Sequence, residues 1–261
     1  MPTNSDIKLS AVGLSMQFGG QVAVNDVNCE FVPGCVTAVI GPNGAGKTTL
    51  FNLFSGQLTP TQGKVFLGEL DITKKTAAQR ANLGVGRAFQ RTNLFPGLSV
   101  FENVCIAVQS RLNISHKFWS LCSMQRNVSE QAELYLTRVN LIHKRDLLAT
   151  NLSHGGQRRL EVGMLMALEP RVYMFDEPTT GMSMEEVPEI LDLIASIRAD
   201  KDKIVVIVEH KMEVVQNLAE RVIVLHNGQL LADGDFDHVM NSPHVQRAYL
   251  GVSPDAGMKF V

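Results

Sequence analysis

The sequence predicts an α/β domain with a mainly parallel core sheet, a β-rich N-terminal segment and a helical insertion. Three observations predict it. Apolar runs of strand length stand at Val36–Ile40, at residues 172–175 and at Ile204–Val208. The first run breaks into a glycine loop and then into a helical pattern. The last two are separated by Val187, Ile190, Leu191, Ile194 and Ile197 at helical spacing. Strand, helix, strand implies a right-handed crossover and hence parallel strands.

Taken in order, residues 7–12, 22–24 and 27–31 read as short strands, punctuated by Gly19-Gly20 and closed by Pro33-Gly34. After the glycine loop, Leu50, Leu53 and Phe54 share one helix face, and Gly56 ends that helix. Residues 100–168 carry no strand pattern. Ala132, Tyr135, Leu136, Val139 and Ile142 fall on one helical face, and Leu160, Met164, Ala167 and Leu168 on another. This stretch reads as a helical insertion between two core strands. Residues 110–127 are polar and basic around Phe118 and Trp119 and receive no assignment. Residues 222–225 and 229–232 flank His226-Asn227-Gly228 and read as a hairpin, because Asn-Gly suits a type I′ turn. Ser242-Pro243 reads as the cap and first residue of a final helix.

Composition narrows the function. The chain has 261 residues, 45% of them hydrophobic and 19% charged, with a formal net charge of −2. It can bury a sizeable core, and it lacks the excess of positive charge that nucleic-acid binding by bulk electrostatics needs. The longest aliphatic run, Ile204–Val208, is far short of the ~20 residues that span a bilayer. Residues 1–6 have no basic start followed by an apolar block, so no signal peptide is expected. Cys29, Cys35, Cys105 and Cys122 show neither CxxC spacing nor a histidine cluster, and are expected to be small core residues in a reducing compartment.

Gly41-Pro42-Asn43-Gly44-Ala45-Gly46-Lys47-Thr48-Thr49 matches GxxxxGK[ST] between a strand and a helix. Glycines let the loop wrap so that its N–H groups face phosphate oxygens, and the helix adds its positive end. Lys47 supplies charge to the β- and γ-phosphates, and the Thr48 hydroxyl can bind Mg²⁺. Asp176 and Glu177 follow the strand at 172–175, on the sheet edge where ligands bind in open parallel sheets. Asp176 is expected to help hold Mg²⁺, and Glu177 to polarise the attacking water. ATP and Mg²⁺ are the expected ligands.

Four further elements, in this order with the two nucleotide motifs, identify the chain as similar to ABC-type ATPases along its whole length. They are Phe18 in the N-terminal β segment, Gln90 after Gly86-Arg87-Ala88-Phe89, Leu152-Ser153-His154-Gly155-Gly156, and His210 after Ile204–Val208. The resemblance implies a P-loop ABC-type α/β fold with an N-terminal antiparallel β subdomain. It divides the chain into a nucleotide-binding core at 1–99 and 169–261 and a helical subdomain at 100–168. It makes Phe18 the adenine-stacking aromatic and Gln90 the glutamine that touches Mg²⁺ or water and reports on the membrane partner. Ser153, His154, Gly155 and Gly156 become the signature segment that completes the opposite subunit's site. That segment departs from LSGGQ at His154 and Gly156, while its serine and second glycine remain. His210 becomes the histidine that contacts the γ-phosphate. The usual D-loop aspartate is Ser183, which with Glu186 forms a Ser-x-x-Glu capping pattern. Pro188 sits deep for that cap, so the helix is expected to start later.

A finer resemblance rests on Gly181-Met182, the basic insertion after Glu102-Asn103-Val104, Arg158-Arg159-Leu160-Glu161-Val162 and Ala248-Tyr249-Leu250-Gly251. These are similar to the ATPases of branched-chain amino-acid importers; urea and short-chain amide importers share the style. The family implies a head-to-tail dimer with a second, non-identical ATPase under two membrane permeases at the cytoplasmic face, fed by an external binding protein. Soluble and exporter ABC ATPases are the competing classes. Finally, residues 92–101 are unusually apolar for a loop. They suit a docking groove for a short helix of a membrane subunit; the alternative is that Leu94, Phe95, Leu98 and Phe101 pin the insertion to the core.

Overall fold

The computed structural model describes residues 7–88, 94–113 and 122–250. β1 (Leu9–Phe18) and β2 (Gln21–Phe31) form one long antiparallel hairpin around Gly19-Gly20. Both strands outrun the predicted segments. The polar break at Asn25-Asp26 is an irregularity inside β2, with Asp26 at φ 51° and its N–H on Ser15 Oγ. β4 (Gln62–Leu67) and β5 (Leu70–Asp71) complete an antiparallel sheet of order β2-β1-β4-β5.

The second sheet runs β10-β9-β3-β8-β7-β6. Its strands are β3 (Val36–Ile40), β6 (Val85–Ala88), β7 (Val172–Asp176), β8 (Ile204–Val208), β9 (Arg221–His226) and β10 (Gln229–Gly234). All neighbours are parallel except β9 and β10, the predicted hairpin, whose turn residues Asn227 and Gly228 have φ 50° and 77°. Every residue of β3, β7 and β8 is buried, because both faces are covered. On one face Val39, Met174, Val206 and Ile223 pack with Phe31, Phe51 and Phe54 from the first sheet and α1 (Lys47–Ser55). On the other, Ala38, Phe175, Ile207 and Val224 meet α3 (Val100–Arg111), α4 (Cys122–Arg138), α5 (His154–Ala167) and α6 (Val187–Arg198).

α3, α4 and α5 pack on one another. Among the described residues the insertion holds no strand, only an isolated bridge between Ser99 and Leu148. Two boundaries differ from expectation. α4 stops at Arg138, since Asn140 takes φ 53°, and Ile142 belongs to a separate 3₁₀ turn. The helix carrying Leu160, Met164 and Ala167, α5, already starts at His154 and ends before Leu168, so both signature glycines lie in its first turn. The smaller α2 (Ala77–Asn82), α7 (Met212–Leu218), α8 (Phe236–Met240) and α9 (Pro243–Leu250) fill the rim; Pro243 opens α9 as predicted.

Parallel strands put the C-terminal ends of β3, β8, β7 and β6 along one edge. Val208 pairs with both Val39 and Asp176, and Ala88 with Phe175. The opposite end of α1 is sealed by Arg80, fully buried, which donates to the Leu53 and Phe54 carbonyls at 2.6 and 2.7 Å. Burial pulls its pKa down to about 10.

Candidate functional site

The phosphate loop links β3 to α1 along that edge. Its N-cap, Gly46, has φ 100°, offers no side-chain cap, and no acid occupies the first turn of α1. The start of α1 therefore has neither a capping side chain nor an acid of its own, which suits a polyphosphate. A Cβ at Gly46 would run into the Ala23 carbonyl, and one at Gly41 into the Leu225 carbonyl. The β9–β10 turn props the loop: Gly228 N–H donates to the Ala45 carbonyl at 3.0 Å, and Asn25 N–H to the Gly228 carbonyl at 2.8 Å. In the sequence that turn reads only as a hairpin. Lys47 Nζ lies back over the loop, donating to the Gly41 and Pro42 carbonyls at 2.7 and 3.0 Å. Burial lowers its pKa, while the nearby charges of Glu177 and Asp176 oppose the shift. Thr48 is exposed beside it.

Asp176 is the last residue of β7, not a residue beyond it, and is buried. Its Oδ2 accepts from Arg87 Nη2 at 2.6 Å. Glu177 follows with φ 49°, a conformation unusual for a carboxylate side chain's backbone. Its N–H donates to the Val208 carbonyl at 2.9 Å, and its Oε2 accepts from Thr180 Oγ1 at 3.1 Å. His210 Nδ1 stands 4.0 Å from Glu177 Oε1 and 4.0 Å from Glu209 Oε2. The strand ends thus bring Lys47, Asp176, Glu177 and His210 to one place.

Glu209 went unread in the sequence. It is fully buried, accepting from Thr179 Oγ1 at 2.7 Å and from its neighbour His210 N–H at 3.2 Å. It ties the segment after Glu177 to the histidine. An acid ending an apolar run was the only signal. Phe18 closes β1 opposite Gln21, 47% exposed, on the hairpin whose second strand abuts Gly46. Gln90 lies outside the described residues.

The signature residues gather elsewhere, around residues 181–186. Ser153 is the N-cap of α5, its Oγ accepting from Gly156 N–H at 3.1 Å. The same hydroxyl donates to Glu186 Oε1 at 3.3 Å, and the Glu186 carboxylate lies where a Cβ on Gly155 would go. The His154 ring occupies the equivalent space beside Gly181. Ser183 does meet Glu186, with N–H and Oγ on Oε2 at 3.3 and 3.2 Å. It does not cap α6, however: that helix begins at Val187 with Glu186 as N-cap and Pro188 in its first turn.

Burial pushes the Cys29 thiol to about 12 and Cys105 to about 11; these two and Cys35 are free. Cys29 is a core residue, whereas Cys35 and Cys105 are only partly buried. In the apolar segment, Leu94 and Phe101 pack against the core, and Arg145 covers the Phe101 ring at 4.2 Å. Phe95 does not: it is 44% exposed, held by buried Asn103 through its backbone. Exposed Leu147 and Leu148 lie alongside, since Val100 and Ala149 N–H groups bond the Leu147 and Leu98 carbonyls.

Among the described residues no three or more His, Cys, Asp and Glu side chains gather to hold a metal alone. Thr48 and Asp176 suit a Mg²⁺ shared with nucleotide phosphates, which is how that ion is commonly bound. None of the described helices is long and apolar enough to cross a membrane.

Comparison with known proteins matches residues 24–180 to the ABC transporter family and residues 229–255 to the family of branched-chain amino acid ATP-binding cassette transporters. The chain is 38% identical over 248 residues to LivG of Escherichia coli K12, a high-affinity branched-chain amino acid transport ATP-binding protein, covering 93% of this chain and 97% of that one. Its Pseudomonas aeruginosa counterpart BraF is 36% identical over 248 residues, with the same coverage. The ADP conformation of MJ1267, an ATP-binding cassette of an ABC transporter, superposes with a TM-score of 0.80 at 28% identity, covering 94% of this chain and 99% of that one.

Proposed function

The chain belongs to the ABC transporter ATP-binding family, and from that premise we propose that it powers an importer of branched-chain amino acids. The family hydrolyses ATP and works as paired cassettes with membrane permeases. The observation that carries the reading is the joining of an open phosphate loop, two acids and a histidine at the ends of β3, β7 and β8.

In this reading residues 1–99 and 169–261 act as the nucleotide-binding core, and 100–168 as the helical subdomain. Lys47 leaves the Gly41 and Pro42 carbonyls for the β- and γ-phosphates of ATP, while N–H groups from 44–49 cradle them. Phe18 stacks on adenine. Thr48 and Asp176, with Gln90, would hold Mg²⁺, which would supply charge neutralisation to the phosphates. Glu177 orients and polarises the attacking water, and His210 donates to the γ-phosphate. Ser153, His154, Gly155 and Gly156 face the nucleotide of a second, non-identical ATPase in a head-to-tail dimer. Two permeases, served by an external binding protein, hold the pair at the cytoplasmic face of the membrane. Phe95, Leu98, Leu147 and Leu148 offer an apolar surface to a permease helix.

The family match at 229–255 and the substrate of the relatives favour branched-chain amino acids over urea or short-chain amides. Co-purification from membranes identifies the permeases. Reconstituted with them and their binding protein, the ATPase should be stimulated by leucine, isoleucine or valine. Stimulation by urea or acetamide alone would move the assignment. Phe95→Ser or Leu98→Ser should release the protein from membranes while leaving ATP binding intact. Unfolding of both variants would mark the segment as core packing.

A further inference from the structure

We propose that Arg87 is a positioning residue for hydrolysis, holding Asp176 in one orientation and tying it to the helix that carries the phosphate loop. The inference rests on the reading of Asp176 as a Mg²⁺ acid. Arg87 sits on β6, the edge strand beside β7, with Arg87 in register with Met174. Its side chain is 7% exposed and that of Asp176 2% exposed. Nη2 donates to Asp176 Oδ2 at 2.6 Å. Nη1 donates to Asn52 Oδ1 at 2.6 Å and Ser55 Oγ at 3.0 Å, both on α1. The guanidinium also lies over the Phe51 ring, 5.7 Å from its centroid.

A planar guanidinium bonded on several sides has little freedom, and the carboxylate it grips inherits that constraint. One oxygen of Asp176 is held by Arg87, leaving the other for a cation shared with the nucleotide. The second pair of bonds fixes α1 relative to β7. A single side chain thereby sets the spacing between the phosphate loop's helix and the acid that must reach the same metal. Its positive charge has a second effect. Close to Asp176 it offsets the acid's pull on a divalent cation, so the cation is held chiefly with the phosphates and leaves with them.

These two effects predict opposite movements on one substitution, which a merely structural bolt would not give. The probe is Mn²⁺, titrated by its free paramagnetic signal with a non-hydrolysable ATP analogue present, alongside steady-state ATPase. Arg87→Met should lower kcat by about 10-fold or more through misplacement of Asp176. It should also lower half-saturating Mn²⁺ by about threefold, because a repelling charge is gone. Arg87→Lys, which keeps the charge but not the planar reach, should return the Mn²⁺ value towards wild type and leave kcat depressed. Asn52→Ala cuts only the α1 side; it should depress kcat with the Mn²⁺ value unmoved, and it serves if Arg87→Met fails to fold. Loss of kcat together with weaker Mn²⁺ binding, or no change in either, would overturn the proposal. Asp176→Asn separates the two levels. If it leaves Mn²⁺ binding unchanged, the metal-acid reading itself is wrong; if it abolishes binding while Arg87 and Asn52 variants behave as wild type, only the role of Arg87 falls.

Discussion

The first turns of α1 and α5 both present backbone N–H groups of the kind that bind phosphate, and they are finished in opposite ways. α1 starts at Lys47 behind Gly46, with no side-chain cap and no acidic residue in its own first turn. α5 starts at His154 behind Ser153, which caps the helix, and the Glu186 carboxylate touches both Ser153 and Gly155. An arriving anion at α1 displaces only the Lys47 ammonium from two carbonyls. At α5 it must displace an internal carboxylate. On the proposed reading, the chain's own nucleotide would bind first at α1, and α5 would be engaged only when a second cassette brings its nucleotide.

The largest expected effect lies on the α1 side. Glu177→Gln should lower hydrolysis by roughly 10²–10⁴-fold while ATP still binds; turnover close to wild type would remove Glu177 from the role of base. Lys47→Ala should instead weaken binding itself, measured with a fluorescent ATP analogue.

Gly46→Ala tests whether the open helix start is conformationally enforced. With φ at 100° and the Ala23 carbonyl in the way, it should cost about 1–3 kcal/mol of stability and weaken nucleotide binding with it. A variant that melts and binds like wild type would mean that the loop tolerates a side chain at its helix start.

At α5 the expected effects are smaller and appear only in the pair of cassettes. Sedimentation in the Glu177→Gln background, with the partner ATPase, should show ATP-dependent association that Ser153→Ala removes. The same change should cost about 1 kcal/mol through the lost cap, so a thermal melt must accompany it. Association unaffected by Ser153→Ala would break the comparison at its second half.

Glu186→Gln is the finest test. Removing the internal charge should lower the ATP concentration needed for association by a few-fold, on the scale of one charge at a helix N-terminus, about 0.3–1 kcal/mol. Higher ATP demand would show that Glu186 supports the assembled form rather than competing with it.

Much of this architecture was legible. β3 and β8 appear in the structure with the predicted limits, and the Asn227-Gly228 hairpin forms with both turn residues at positive φ. Long apolar runs and Asn-Gly turns report local forces that act within a few residues. β6 was not read, because Val85-Gly86-Arg87-Ala88 holds only one strong strand former; it is a strand because β7 offers it hydrogen bonds. α2 escaped for a similar reason: a Thr76–Gln79 capping box starts it, but it has no apolar stripe.

The candidate site divides the same way. Gly41 to Thr49 could be named from motif spacing, because the chemistry needs those residue types at short, fixed separations. Asp176 and Glu177 stand out as two acids after an apolar strand, whereas Ser153 and His210 are named only through the family resemblance. Arg87 on Asp176, Thr179 on Glu209, Gly228 against Ala45 and Glu186 on Ser153 are contacts between segments 30 or more residues apart. No local pattern encodes such pairs. The order of strands in a parallel sheet decides which loop ends become neighbours, and only that packing determines which side chain holds the acid, props the phosphate loop or covers the second helix.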